Sequence, residues 1–97
     1  MNHTVAVAES DGILAGFAAL DVQRSVLSQI FVAPHAKRQG IGRELFRWAL
    51  SFCPNGLTLK TLIENSESRA FYKSVGMVER GRSVNEFNGR EEIEYSL

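Results

Sequence analysis

The 97-residue chain has a single cysteine, two histidines and two prolines, and its eleven basic residues balance eleven acidic ones. Each shortage excludes something. One cysteine, Cys53, allows no internal disulfide and no cysteine-based zinc site. His3 and His35 stand far apart without neighbouring ligands, so no metal site is expected. Zero net charge gives no global field toward nucleic acid or an anionic membrane, and neither is expected as a partner. No apolar run approaches the ~20 residues needed to cross a bilayer. The N-terminus, Met1-Asn2-His3-Thr4, is not a basic segment leading into an apolar one, so it does not read as a signal peptide. The expectation is a cytoplasmic protein of one domain, residues 1–97, with a small core in which every layer counts.

What is present is patterned. Val5 to Ala8 is a short β-type run, and Asp11-Gly12 suits the positive φ values of a tight hairpin. Ile13 to Leu20 continues as a second strand, with Gly16 and three alanines indicating close packing on both faces. Asp21 to Arg24 reads as a turn, and Ser25 to Val32 as a third strand ended by Pro34. Residues 41 to 53 are helical: Ile41, Leu45, Trp48, Ala49 and Phe52 share a face, which Phe46, Leu50 and Cys53 broaden. Cys53 reads as a core residue.

After Pro54-Asn55-Gly56, residues Leu57 to Ile63 alternate as a strand. A short helix spans Ser66 to Val75, capped by Asn65 or Ser66 and stopped by Gly76. Two last strands flank Asn88-Gly89, a hairpin signal. The order β-β-β-α-β-α-β-β implies an α+β fold, a mixed, mostly antiparallel sheet with two helices.

The chemistry concentrates in Val32-Ala33-Pro34-His35-Ala36-Lys37-Arg38-Gln39-Gly40-Ile41-Gly42-Arg43. A strand ends, a basic glycine-containing loop follows, and a helix starts at once. Helix N-termini expose unpartnered N–H groups and a positive dipole end. Glycines 40 and 42 let an anion approach that backbone, and Lys37, Arg38 and Arg43 add charge, which together make a phosphate or pyrophosphate cradle. A P-loop is excluded because no Gly-Lys-Ser/Thr follows. The dinucleotide fingerprint fails because Leu45 occupies its third glycine position. Taken alone, Gly-x-Gly is equally a packing turn.

The segment resembles the acetyl-CoA-binding motif of the GCN5-related N-acetyltransferase (GNAT) superfamily, Arg/Gln-x-x-Gly-x-Gly/Ala after a strand ending Val-x-Pro. Here it reads Lys37-Arg38-Gln39-Gly40-Ile41-Gly42 after Val32-Ala33-Pro34. Lys37 replaces the usual Arg or Gln, keeping a charge but losing the planar fork. A second stretch is similar too: Asn65, Ala70, Phe71-Tyr72 and Gly76-Met77, with Met77 in place of Phe.

The resemblance covers nearly the whole chain and implies an acyl-CoA N-acyltransferase fold in truncated form. Relatives usually carry a strand and two helices before the first hairpin, and those helices commonly form one wall of the acceptor site. Their absence from this sequence implies a homodimer whose partner covers the surface they would hide.

The resemblance implies acetyl-CoA as co-substrate and an amine, on a small molecule or peptide, as acceptor. The third strand would splay from the strand at Leu57–Ile63. Backbone groups of Ile30, Phe31 and Val32 would bond the pantetheine arm, with an N–H near Val32 supporting the oxyanion. Amides from Arg38 to Arg43 would hold the pyrophosphate, and Asn65 would steady the arm. Tyr72 is the family's usual acid for the leaving thiolate, though a tyrosine there also reads as a core aromatic.

Many relatives place a carboxylate on the third strand. Gln29 stands there and cannot act as a base. Glu64 and Glu9 are alternatives that read more readily as solvated strand-end charges, so the base stays unassigned. Two other readings stay open: a non-catalytic acyl-CoA-binding module, and an interaction protein whose loop binds nothing.

Overall fold

In a computed structural model, residues 3–97 are described. They form six strands and two helices in the order expected, β-β-β-α-β-α-β-β, an α+β fold. The chain divides into two compact units, one ending at Leu57 and the other running Thr58–Leu97.

The first unit is an antiparallel meander of β1 (His3–Ser10), β2 (Ile13–Asp21) and β3 (Val26–Val32), followed by α1 (Ile41–Phe52). Asp11 (φ 55°) and Gly12 (φ 77°) both take the left-handed conformation, so Ser10 pairs directly with Ile13 across a two-residue hairpin. β1 runs longer than Val5–Ala8 because pairing with β2 extends from Ser10 back to His3. Ser25, expected in β3, has φ 57° and belongs to the preceding turn.

Gly16 fixes the packing of this unit. A Cβ there would stand 2.5 Å from the Phe31 carbonyl oxygen and 3.4 Å from both Ile41 and Leu45. Only a bare backbone lets β2 approach β3 and α1 so closely. On α1, Leu45, Phe46 and Ala49 are buried, and Cys53 just after it is buried as expected. Phe52, expected on the core face, is 45% exposed. It is the last residue of the helix, and its ring meets the edge of Trp48 at 5.3 Å.

The second unit contains β4 (Thr58–Leu62), α2 (Ser66–Ser74), β5 (Val78–Val84) and β6 (Glu91–Ser96). β6 pairs antiparallel with both β4 and β5. The alternation read in β6 holds: Ile93 and Tyr95 are buried while Glu92 and Glu94 are not. Leu97, grouped with them, lies past the strand and is 46% exposed.

β5 and β6 flank Asn88-Gly89 as expected, joined by a loop longer than two residues. Asn85 Oδ1 accepts from the Phe87 and Asn88 amides at 2.9 and 3.2 Å, and the Asn85 amide donates to the Arg90 carbonyl at 2.8 Å. An asparagine folded back on its own loop competes with the short turn, so the strands part at Val84 and Glu91.

Candidate functional site

The predicted anion loop begins where β3 ends. The Ala33 amide donates to the Ala15 carbonyl at 2.8 Å, carrying the β2–β3 register one residue past the strand. Pro34–Ala36 then makes a single 3-10 turn. Ala33 and Ala36 are buried with Ala15, and Ala8, Val32 and Ile41 pack against them. Small side chains give the loop a tightly packed floor. The basic residues Lys37 and Arg38 are exposed above it.

The backbone then turns sharply. Arg38 has φ 66° and Gly40 φ 81°, so two left-handed residues flank Gln39. A non-glycine residue in that conformation is costly, by about 1–2 kcal/mol, and such strain clusters at ligand sites. Gln39 Nε2 donates back to the His35 carbonyl at 3.4 Å. Gly40 is the N-cap of α1 and supplies no capping side chain, and its carbonyl accepts from the Glu44 amide at 3.0 Å.

The amides of Ile41, Gly42 and Arg43 precede that first helical bond, so helix geometry provides them no acceptor. Beside Gly40, where a Cβ would project, there is open space. Three unpartnered donors, a positive dipole end, two nearby cations and open space suit a phosphate oxygen. The first-turn Glu44 is the one opposing charge on the helix there. Ile30, Phe31 and Val32 lie on the last half of β3, two of them half-buried and Phe31 41% exposed.

Ile30 through Arg43 thus all lie in the first unit, running from the second half of β3 into the first turn of α1. Asn65 and Tyr72, the other predicted site residues, belong to the second unit. Asn65 Oδ1 accepts from the Ser68 amide at 3.2 Å and so caps α2. With the oxygen serving the helix, the amide nitrogen is the atom suited to a ligand carbonyl. At the far end of α2 the Met77 amide donates to the Tyr72 carbonyl and the Gly76 amide to the Lys73 carbonyl, both at 3.0 Å. Gly76 takes φ 95°, completing a Schellman stop that pins the Tyr72 backbone.

The Tyr72 side chain is 7% exposed. Its ring meets Phe71 edge-on at 5.5 Å and Tyr95 at 5.8 Å. Burial pushes the Tyr72 phenol up to about 12, because the phenolate would lose its hydration. No buried side-chain oxygen or nitrogen among the described residues lacks a hydrogen-bond partner.

Sequence reading passed over the residues that meet around Arg69, one turn before Tyr72. Its Nε donates to Tyr95 Oη at 3.3 Å, Nη1 to the Ile63 carbonyl at 3.1 Å, and Nη2 to Glu79 Oε1 at 3.1 Å. Tyr95 Oη in turn donates to Glu79 Oε1 at 3.4 Å. The hydrogen bonds it donates to Tyr95 and Glu79 hold the Arg69 guanidinium above its ordinary range, and the one from Arg69 holds Glu79 below the usual carboxylate range. No local spacing signals this meeting, because the partners lie 10 and 26 residues away.

Of the two carboxylates weighed as bases, Glu64 is ion-paired with Arg90 and Glu9 is exposed on β1. No group of three potential metal ligands occurs among the described residues, and none of their helices is long and apolar enough to cross a membrane.

Comparison with known proteins gives the family and the fold. A family model described as an acetyltransferase (GNAT) domain matches residues 1–97. The peptidyl-lysine N-acetyltransferase YjaB of Escherichia coli is 38% identical over 79 residues, covering 81% of this chain and 51% of that protein. Its namesake from Salmonella typhimurium is 37% identical over 57 residues, 59% of this chain and 39% of the relative. The chain therefore spans about half the length of these relatives or less. Among solved structures, apo YjaB from Escherichia coli superposes with a TM-score of 0.83 at 28% identity, over 95% of this chain and 63% of that one. A Bacillus anthracis protein described as a putative streptothricin acetyltransferase, solved with acetyl coenzyme A, has the same fold. It superposes with a TM-score of 0.84 at 21% identity, over 99% of this chain and 63% of that one.

Proposed function

The chain belongs to the GNAT acetyltransferase family, and from that membership we propose that residues 1–97 act as one N-acetyltransferase domain using acetyl-CoA as co-substrate. The acetyl group passes to a primary amine by direct attack in a ternary complex. The observation that carries this reading is the α1 N-terminus: a left-handed Gly40 with open space beside it, followed by three amides without helical acceptors. A pyrophosphate supplies the acceptors those amides lack.

In this reading the amides of Arg38 to Arg43 take the pyrophosphate, with Lys37 and Arg38 adding charge. The β3 backbone at Ile30, Phe31 and Val32 bonds the pantetheine arm, and the Asn65 amide nitrogen steadies it. A neutral amine attacks the thioester carbonyl, the C–S bond breaks, the sulfur gains a proton and the new amide nitrogen loses one.

Tyr72 is the donor to sulfur. With its phenol raised to about 12 it is protonated throughout the neutral range. Handing that proton entirely to a leaving thiolate, whose thiol has a pKa of ~8.5, costs about 5 kcal/mol. Tyr72 therefore works chiefly as a hydrogen-bond donor to the developing thiolate, and water settles the proton afterwards.

A peptide lysine is the first acceptor to try, because the sequence relatives carry the name peptidyl-lysine N-acetyltransferase. Cytoplasmic location and a homodimer complete the proposal. The dimer is supported by one face of the meander where Val5, Val7 and Phe31 are 57%, 60% and 41% exposed around the Phe17–Phe31 ring pair. A second reading, an acetyl-CoA-binding module without turnover, is favoured by the Glu64–Arg90 ion pair and by Gln29 on β3, which leave no evident base.

Acetyl-CoA titration followed by a CoA-release assay with lysine peptides separates the readings. Binding with peptide-dependent release supports the enzyme. Binding with release at the enzyme-free rate supports the module, and no binding at millimolar acetyl-CoA rejects both. Sedimentation as a monomer at high concentration would reject the dimer.

A further inference from the structure

Tyr72 is held at its backbone by the stop of α2, but its ring rests on Tyr95, and that face needs its own restraint. The Tyr95 side chain is fully buried, and its hydroxyl ends in the grip of Arg69 and Glu79. Arg69 also reaches the carbonyl of Ile63, two residues before the Asn65 cap. One guanidinium therefore ties the end of β4, the start of β5 and the end of β6 to the helix that carries Tyr72.

We propose that Arg69 is the positioning residue for Tyr72, its fork locking Tyr95 into the surface against which the Tyr72 ring is set. The proposal rests on the reading of Tyr72 as the donor to sulfur. Surface ion pairs contribute little on their own. The force of this one lies in geometry: three planar N–H directions meet three acceptors on three different segments. A lysine has one point charge on a flexible stem and cannot reproduce that fork. Arg69 and Tyr72 are also three apart on α2, so they lie on neighbouring positions of one helix face.

The test uses the full chain with Cζ-labelled tyrosine, whose only two signals are Tyr72 and Tyr95. Carbon NMR follows each phenol through alkaline pH, with Tyr72→Phe and Tyr95→Phe giving the assignments. In Arg69→Lys the Tyr72 midpoint is expected to fall from about 12 toward the exposed value by at least about one unit. Arg80→Ala, which removes the Arg80–Ser96 bond on the same pair of strands, leaves it in place.

Acetyl transfer from acetyl-CoA to a lysine peptide gives the second readout. Arg69→Lys lowers kcat about tenfold with the acetyl-CoA KM changed by less than about twofold, and adds nothing in a Tyr72→Phe background. An unmoved Tyr72 midpoint, or an effect that multiplies with Tyr72→Phe, overturns the positioning role. Full kcat in Tyr72→Phe would instead reject Tyr72 as donor, and the midpoint would still decide whether Arg69 sets its ring. Should Arg69→Lys not fold, Tyr95→Phe removes the hydroxyl that Arg69 holds and carries the same kinetic expectation. If the peptide is not acetylated, the NMR midpoint alone decides.

Discussion

At the start of α1 the chain offers chemistry made of backbone. Its proposed donors are the amides of Ile41, Gly42 and Arg43, shaped by the left-handed turns at Arg38 and Gly40, with open space beside Gly40. In α2 the proposed chemistry is one buried side chain, Tyr72, supported by rings, a helix stop and the Arg69 fork. The contrast teaches where each kind of site is vulnerable. A backbone site depends on glycines and strand register and tolerates loss of nearby charge. A side-chain site depends on packing and on partners brought from distant positions.

The largest expected effect lies in the buried region and appears at high pH. The folded Tyr72 phenol titrates near 12, against ~10 in an unfolded chain, so between those values the unfolded state binds fewer protons and stability falls as pH rises. Two units correspond to about 3 kcal/mol, present in full below pH ~10 and lost as pH climbs toward 12. Chemical denaturation across that range should show the loss in the wild type and a smaller one in Tyr72→Phe. Next, Tyr72→Phe should lower kcat with a lysine peptide about a hundredfold while leaving the acetyl-CoA Kd within about twofold.

The backbone region answers to different changes. Gly16→Ala forces a Cβ against the Phe31 carbonyl. It should cost about 2 kcal/mol, lowering Tm by about 10 °C, and loosen the β3 end that introduces the loop. Gly40→Val should leave the fold intact but weaken acetyl-CoA about tenfold, because φ 81° is unfavourable for a branched residue and the open space is filled. Smallest of all, Lys37→Ala should weaken acetyl-CoA less than about threefold, since this exposed charge is screened by solvent. A large effect of Lys37→Ala measured by calorimetry would break the distinction between the two regions.

The same distinction explains what could be read in the sequence. The α1 loop was legible because its determinants are consecutive: a proline ending a strand, cations, then Gly40 and Gly42 opening an apolar-periodic helix. The Asp11-Gly12 hairpin and the Gly76 stop were legible for the same reason, since each needs one local left-handed residue. Asn88-Gly89 marked the β5–β6 hairpin, and Asn85, three residues earlier, captures the loop amides and lengthens the connection. Phe52 misled because periodicity continues to the helix end whether or not anything covers that turn. The Arg69–Glu79–Tyr95 meeting was not legible. It arises from the antiparallel register that sets Glu79 against Tyr95, and register is a property of pairing, not of any one segment.

The most direct test of the central claim follows backbone amide resonances while acetyl-CoA is added. Saturable shifts are expected, largest for the amides of Arg38 to Arg43 and smaller at Ile30 to Val32. Absence of shifts at millimolar acetyl-CoA, or shifts that leave the start of α1 untouched, would contradict it.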